Sequence, residues 1–374
     1  MAISKKNKII IGVGIAAIIT AAVLIPVLLM RGFKASTPST TTAVATEEAR
    51  LTRLAKFHIY ANTARDALDE MRAFMKENGI PAPLYADLSG KKLKNGKTGP
   101  RICVGVQTAS RQASPINYVE QTVGGLLARM TLPNDDVYIH VFNVQNLSQV
   151  HKDVEAIQDL VPVTRTKGDL PATIRVPWKP QFAESHDHRE VMRVFKRIGC
   201  QYPILIEDDA LPQENWLDMV NLAIRQLEER GTDWFLIKMY VAREEFNDRA
   251  DKSYVGITDY DQTFNGVAMM YNPKYMLKYG DALVHHTREV MAGRLSEKFY
   301  EFKDTYLNVY KKEHNVKIEA FEPPIFQHTG IYSSVNVRPL EQFPWFMETR
   351  EFVSQDKPIV FNSALWSGFL TKKD

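Results

Sequence analysis

With 374 residues, 45% of them hydrophobic and 24% charged, the chain has the composition of a globular protein of one large domain or two small ones, which excludes disorder and fibrous repeats. Its formal net charge of +3 arises from interspersed signs without a basic block, so nucleic acid is not expected as a partner. Cys103 and Cys200 are too few for a disulfide scaffold or a cysteine-built zinc site; they leave one disulfide or two buried thiols.

Ile9 to Met30 runs 22 residues without a charge. At about 1.5 Å per residue a helix of that length spans roughly 30 Å of hydrocarbon, so the segment reads as a transmembrane helix. Lys5, Lys6 and Lys8 precede it and Arg31 and Lys34 follow, an excess that favours a cytoplasmic N-terminus. A cleaved signal peptide is the alternative, but its apolar core is usually about 7 to 15 residues, and no small-x-small cleavage site stands out. The Asn146-Leu147-Ser148 sequon fits a luminal domain.

Residues 35–46, small and polar, have the composition of a tether. From Glu47 to Glu77, apolar residues at three- and four-residue spacings, Leu51, Leu54, Ile59, Leu68, Met71 and Met75 among them, predict an amphipathic helix stopped at Gly79-Ile80-Pro81. An exposed Lys- and Gly-rich loop over 85–100 follows. Strands and helices then alternate: strands at Ile102–Val106, Val137–Val141, Val161–Arg165 and Pro203–Ile206, and helices at Tyr118–Met130, Gln149–Gln158 and His188–Ile198. Short apolar strands separated by helices predict an α/β fold with a doubly wound, mostly parallel sheet, which binds ligands beyond the carboxyl ends of its strands.

Glu207, Asp208 and Asp209 stand at such an end, directly behind Ile204-Leu205-Ile206. Crowded carboxylates repel unless a cation or donor compensates, and oxygen ligands suit Mn²⁺ or Mg²⁺ bridging to a diphosphate. The competing reading is a solvated acidic turn that caps the next helix.

At this point the sequence resembles a known family. "LIEDDALP" behind a βαβ region and an apolar anchor looks like the D-x-D element of a GT-A glycosyltransferase. More closely, the chain resembles the family of N-acetylglucosaminyltransferase IV and its relative, the N-acetylgalactosaminyltransferase of GPI glycans. "VGVQTASR" (104–111), "FKDTY" (302–306) and "FEPPIFQHTGIYSS" (321–334) carry the rest of the likeness, which covers roughly residues 100–340.

The resemblance implies a GT-A-like catalytic domain over 100–340, behind a cytoplasmic tail (1–8), an anchor (9–30) and a stem with the amphipathic helix (31–99), and followed by an extension (341–374). It implies a single-pass type II protein of the Golgi membrane or endoplasmic reticulum, its catalytic domain luminal. The activity implied is inverting transfer of an N-acetylhexosamine, N-acetylglucosamine first, from a UDP-sugar to the glycan of a glycoprotein or GPI anchor, assisted by Mn²⁺ or Mg²⁺. Transfer of N-acetylgalactosamine to a GPI glycan is the alternative, and a non-catalytic glycan-binding protein on a degenerate transferase fold is the rival class. Two departures stand out: the residues after Pro339 are too few for the C-terminal domain of the N-acetylglucosaminyltransferase IV enzymes, and the extra hydrophobic pair of the GPI-glycan enzyme is missing.

Carried over residue by residue, the resemblance implies Asp209 and His328 as metal ligands and Glu207 near ribose or sugar, with Asp208 beside them. Thr108 and Arg111 are expected to meet uridine and phosphate, Gly266 to let backbone approach the donor sugar, and Asp304 to act as the base that inversion requires. Each has a plainer alternative: a loop-organising histidine for His328, a surface carboxylate for Asp304, a solvated cation for Arg111, and a core strand for Val267–Tyr271 beside Gly266. His186-Asp187-His188 reads as a helix N-terminus, and His285-His286 has no acidic partner nearby in sequence.

Overall fold

Val104, Val106, Ile204 and Ile206 point to one side of the sheet and Cys103 and Leu205 to the other, because side chains alternate along a strand. The computed structural model describes residues 62–85, 99–111, 114, 116–130, 136–144, 152–166, 179–241, 255–260, 266–295, 303, 306–329 and 359–367. The apolar run 9–30, the sequon at Asn146 and Asp304 lie outside them. Among the described residues no helix is long and apolar enough to cross a membrane.

The elements are α1 (62–77), β1 (Ile102–Thr108), α2 (Tyr118–Ala128), β2 (Val137–Asn143), α3 (Lys152–Glu155), β3 (Val163–Arg165), α4 (Lys179–Arg197), β4 (Tyr202–Glu207), β5 (Ala210–Pro212) and α5 (Trp216–Arg230). They continue with β6 (Leu236–Lys238), β7 (Gly256–Asp259), β8 (Ala268–Tyr271), α6 (Pro273–Met291), α7 (Tyr306–His314), β9 (Ile318–Glu322), β10 (Phe326–His328) and α8 (Ser363–Ser367). Eight strands form one sheet in the order β3-β2-β1-β4-β8-β6-β9-β7, and β10 and β5 form a separate ribbon.

The sheet is parallel across β3, β2, β1 and β4, and again between β6 and β9. It is antiparallel where β8 sits between β4 and β6, and at the β9–β7 edge. The expected α/β class and mostly parallel sheet therefore hold, with antiparallel strands in the second half. Parallel strands are buried on both faces, and β2 is buried along its whole length.

Helices α1, α2 and α5 cover one face through Leu68, Met71, Val123, Leu126, Val220 and Ile224. Val191, Met192 and Phe195 of α4, with Tyr279 and Leu283 of α6, cover the other. Residues Ile359, Phe361 and Trp366 join the α1 side, where Phe74 and Trp366 meet edge to face at 6.0 Å. Gly105 is required by close approach: a Cβ there would stand 2.7 Å from Phe195 Cζ of α4.

Three details differ from the sequence reading. Helix α4 begins at Lys179, so His186-Asp187-His188 sits inside the helix and not at its start. Cys103 and Cys200 are joined, with Cα atoms 6.1 Å apart, tying β1 to the residue that leads into β4. The acidic run is not a solvated cap: Asp208 and Asp209 are each 3% exposed, and Asn215 is the N-cap of α5.

Candidate active site

Strands β1 and β4 are parallel neighbours in the register Gln107↔Glu207, so Thr108, the last residue of β1, and Asp208, the first after β4, stand side by side at the strand ends. Thr108 donates its hydroxyl to Asp208 Oδ2 at 2.6 Å. Thr122 of α2 donates to the Asp208 carbonyl at 2.6 Å, holding the turn against that helix. After the turn β5 leaves the main sheet and pairs with β10, opposing Ala210 to His328. Thr329 completes the junction, its N–H and its hydroxyl both donating to the Asp209 carbonyl, at 2.8 and 2.9 Å. Residues more than a hundred positions apart in sequence thus meet at one strand end.

Two cations compensate the acids. Arg111 places Nη2 2.5 Å from Asp208 Oδ1 and Nη1 2.8 Å from Asp209 Oδ2, with its guanidinium 4.6 Å above the Tyr118 ring. Lys303, itself buried, places Nζ 2.5 Å from Glu207 Oε1 and 2.9 Å from Glu184 Oε1 of α4. His328 Nε2 lies 3.3 Å from Asp209 Oδ2, and the ring of Tyr240 packs edgewise on the imidazole at 5.8 Å.

These contacts move the acidities apart. Burial alone would raise the Asp209 carboxyl, but Arg111 and His328 outweigh it and hold it well below the usual carboxylate range. Burial raises Asp208, which the Arg111 and Thr108 contacts only partly offset and the charges of Asp209 and Glu207 reinforce. For His328, burial disfavours the imidazolium, but Asp209 more than reverses this and raises the pKa above its ordinary value.

A divalent cation fits this donor set. Glu207, Asp209 and His328 each offer one ligand atom, all within 4.8 Å of one another, and Asp209 Oδ1 is buried without a hydrogen-bond partner among the described residues. Two carboxylates and an imidazole suit Mn²⁺ or Mg²⁺.

The expected site residues distribute as follows. Glu207, Asp209 and His328 come together, as do Thr108, Arg111 and Asp208 behind them. Both Nη atoms of Arg111 go to the aspartates, and the Thr108 hydroxyl goes to Asp208. Gly266 precedes Val267, whose carbonyl accepts from Glu207 N–H at 2.9 Å, so it flanks the cluster. Asp304 lies outside the described residues; its sequence neighbour Lys303 is the residue bonded to Glu207.

Sequence reasoning missed Gln107, Glu184, His188 and the charge of Lys303. His188 is fully buried and bonds Gln107 Oε1 at 3.1 Å and the Tyr271 hydroxyl at 2.9 Å. His286, set aside for want of an acid, packs against the Tyr306 ring at 4.6 Å. The signal available was the i, i+4 spacing of Glu184 and His188, which puts both on one face of a helix.

The family model described as GPI-N-acetylgalactosamine transferase PGAP4 matches residues 102–246. That segment contains Thr108, Arg111, Glu207, Asp208 and Asp209; Gly266, Asp304 and His328 lie beyond it. A search of the curated proteins finds no match. Among solved structures the chain is similar to S. aureus TarS, with a TM-score of 0.35 and 13% identity over 60% of this chain and 36% of that chain. For S. aureus TarS 1-349 in complex with UDP the TM-score is 0.37 at 11% identity, over 60% of this chain and 59% of that chain. For the complex of TarS 1-349 with UDP-GlcNAc it is 0.34 at 12%, over 61% and 60%. The chain therefore spans less than two thirds of each of these chains, and likeness at this level carries no weight for activity.

Proposed function

We propose that the protein is a GT-A-type glycosyltransferase that transfers N-acetylgalactosamine from UDP-N-acetylgalactosamine to the glycan of a GPI anchor. One observation carries this reading: the segment that matches the GPI-N-acetylgalactosamine transferase family is the one that delivers Glu207 and Asp209 to the carboxyl edge of the sheet. The match favours N-acetylgalactosamine over the N-acetylglucosamine that the sequence resemblance ranked first.

In this reading Glu207, Asp209 and His328 hold a divalent cation, which when bound supplies Lewis-acid stabilisation of the departing diphosphate. Arg111 keeps Asp209 ionised and aims it, and Thr108 fixes the Asp208 turn that positions both. Lys303 orients Glu207 from the α4 side. Inversion needs a base on the face opposite the leaving group, and Asp304, next to Lys303 in sequence, is proposed for it.

We also infer a single-pass anchor at 9–30 in the Golgi or endoplasmic reticulum membrane, with the catalytic domain in the lumen. The Cys103–Cys200 disulfide supports an oxidising compartment. Protease added outside sealed microsomes should then leave the part beyond about residue 35 intact, since a 22-residue apolar helix suffices to span. The activity is tested by measuring UDP release from UDP-N-acetylgalactosamine, UDP-N-acetylglucosamine, UDP-galactose and UDP-glucose with a GPI-glycan acceptor and Mn²⁺. Turnover led by UDP-N-acetylgalactosamine and abolished by chelation is expected. Preference for UDP-N-acetylglucosamine restores the first-ranked donor, and glycan binding without turnover of any donor supports the non-catalytic class.

A further inference from the structure

Gln107, the one partly exposed residue of β1, lies directly opposite Glu207, so the two side chains stand on the same face of neighbouring strands, about 4.8 Å apart in the pairing direction. Its amide oxygen is held by His188 Nδ1 at 3.1 Å, and His188 Nε2 is held by the Tyr271 hydroxyl at 2.9 Å. Burial keeps the His188 imidazole neutral, with the nearby Lys303 charge acting in the same sense. A neutral ring carries one proton, and an amide oxygen only accepts. The proton is therefore on Nδ1, and Nε2 accepts from Tyr271; Met269 Sδ, 3.4 Å from the same hydroxyl, is a weak acceptor.

This chain decides which way the carboxamide faces. With Oε1 turned towards α4, the NH₂ group of Gln107 is directed away from His188, at a residue that is partly exposed. Beside it the Glu207 carboxylate, 29% exposed, gives Oε1 to Lys303, and the two lone pairs of Oε2 serve the divalent cation of the reading above and one hydroxyl donor. An N–H donor and a carboxylate acceptor side by side match one chemical group above others: a hydroxyl, which accepts from the first and donates to the second.

We propose that Gln107 is a specificity-determining residue that donates to a hydroxyl of the sugar-nucleotide donor shared with Glu207, and that His188 and Tyr271 are its positioning residues. The proposal rests on the transferase reading above and adds a ligand contact to the same edge. It makes Tyr271, two strands away from β1, act on the ligand only through His188 and Gln107.

The test is calorimetry on the full-length protein with Mn²⁺, using UDP and UDP-N-acetylgalactosamine as probes, for the wild type, Gln107→Ala, Tyr271→Phe and the double variant. Gln107→Ala should weaken UDP-N-acetylgalactosamine binding about tenfold, the effect of one hydrogen bond to a ligand in a protected site. Tyr271→Phe keeps the ring and removes the donor, so it should weaken binding less, and the double variant should bind no more weakly than Gln107→Ala alone. A loss confined to UDP-N-acetylgalactosamine places the hydroxyl on the hexose, whereas an equal loss for UDP places it on the ribose; both support the contact. Unchanged affinity in Gln107→Ala overturns it, and multiplying losses in the double variant overturn the positioning role. A wild type that binds neither probe would overturn the transferase reading and this inference together, an outcome distinct from the others.

Discussion

Lys303 Nζ and Glu207 Oε1 lie 2.5 Å apart across 96 residues of sequence, joining the segment before α7 to the end of β4. The ammonium also holds Glu184 of α4, so one buried cation fixes two carboxylates that come from different elements. Lys303→Met keeps the stem and removes the charge, leaving the two acids to repel. Because Glu207 and Glu184 are partly exposed, the loss should be roughly 1–2 kcal/mol and not the larger penalty of a fully buried pair. Urea unfolding measures it, and a variant as stable as the wild type would show that the pair contributes nothing to the fold.

The Glu207, Asp209 and His328 set makes a prediction about metal. Asp209→Asn should abolish Mn²⁺-dependent UDP binding, and His328→Ala should weaken it by more than about tenfold, the usual effect of altering a metal shell. Relief of acid repulsion would by itself suggest a more stable Asn variant, but Arg111 and His328 already hold Asp209 ionised. Removing that charge leaves Arg111 less compensated, so Asp209→Asn should lose about 1–3 kcal/mol. Metal-dependent affinity that survives in both variants removes the cluster from the metal site.

Asp187 gives a stability dependence on pH. Its carboxyl, 2% exposed on α4, is pushed up to about 7 by burial; Glu184 and Glu190 add to the rise and a hydrogen bond from Thr166 opposes it. In the unfolded chain it titrates near about 3.9. Between those values the folded state keeps a proton that the unfolded state has lost, so this group subtracts stability as pH rises from about 4 to about 7, on the order of 4 kcal/mol over the window. Asp187→Asn cannot titrate and should gain on the wild type as pH increases. Unfolding free energies of the two proteins at the ends of the window that differ by the same amount would refute the assignment.

The Cys103–Cys200 bond closes a loop across a sequence separation of 97. Loop-closure entropy for about 100 residues corresponds to roughly 4–5 kcal/mol, and measured values commonly fall at about 2–4. The double Cys→Ala variant should therefore unfold at a lower temperature by calorimetry, while retaining UDP binding, because both sulfurs lie at the opposite end of β1 and β4 from the acid cluster. Loss of UDP binding in a folded double variant would contradict that separation.

Short apolar runs alternating with helices made the parallel half of the fold legible. β1, β2 and β4 are short apolar runs, legible because burial on both faces demands hydrophobic residues at nearly every position. The amphipathic α1 was legible over residues 62–77 for a different reason, the three- and four-residue spacing of its one apolar face. By contrast, α4 reads as polar through its first half because Ser185, Asp187 and His188 occupy buried positions that would ordinarily be apolar. β6, β7, β9 and β10 are three to five residues long, too short to show a period.

The site divides in the same way. Three consecutive acids after an apolar strand marked Glu207, Asp208 and Asp209 as a cluster that either calls for a compensating charge or stays solvated as a helix cap. Which charges compensate was decided only by tertiary structure. Arg111 arrives because β1 and β4 pair in the register Gln107↔Glu207, and His328 because β10 pairs with β5 opposite Ala210. Lys303 reaches Glu207 across α4, and Gln107 is turned by His188 from a helix and Tyr271 from a strand. Local sequence encodes the propensity of each element. Register between strands distant in the chain is set by side-chain packing on both faces of the sheet, so the partners of each acid follow from the fold and not from their spacing.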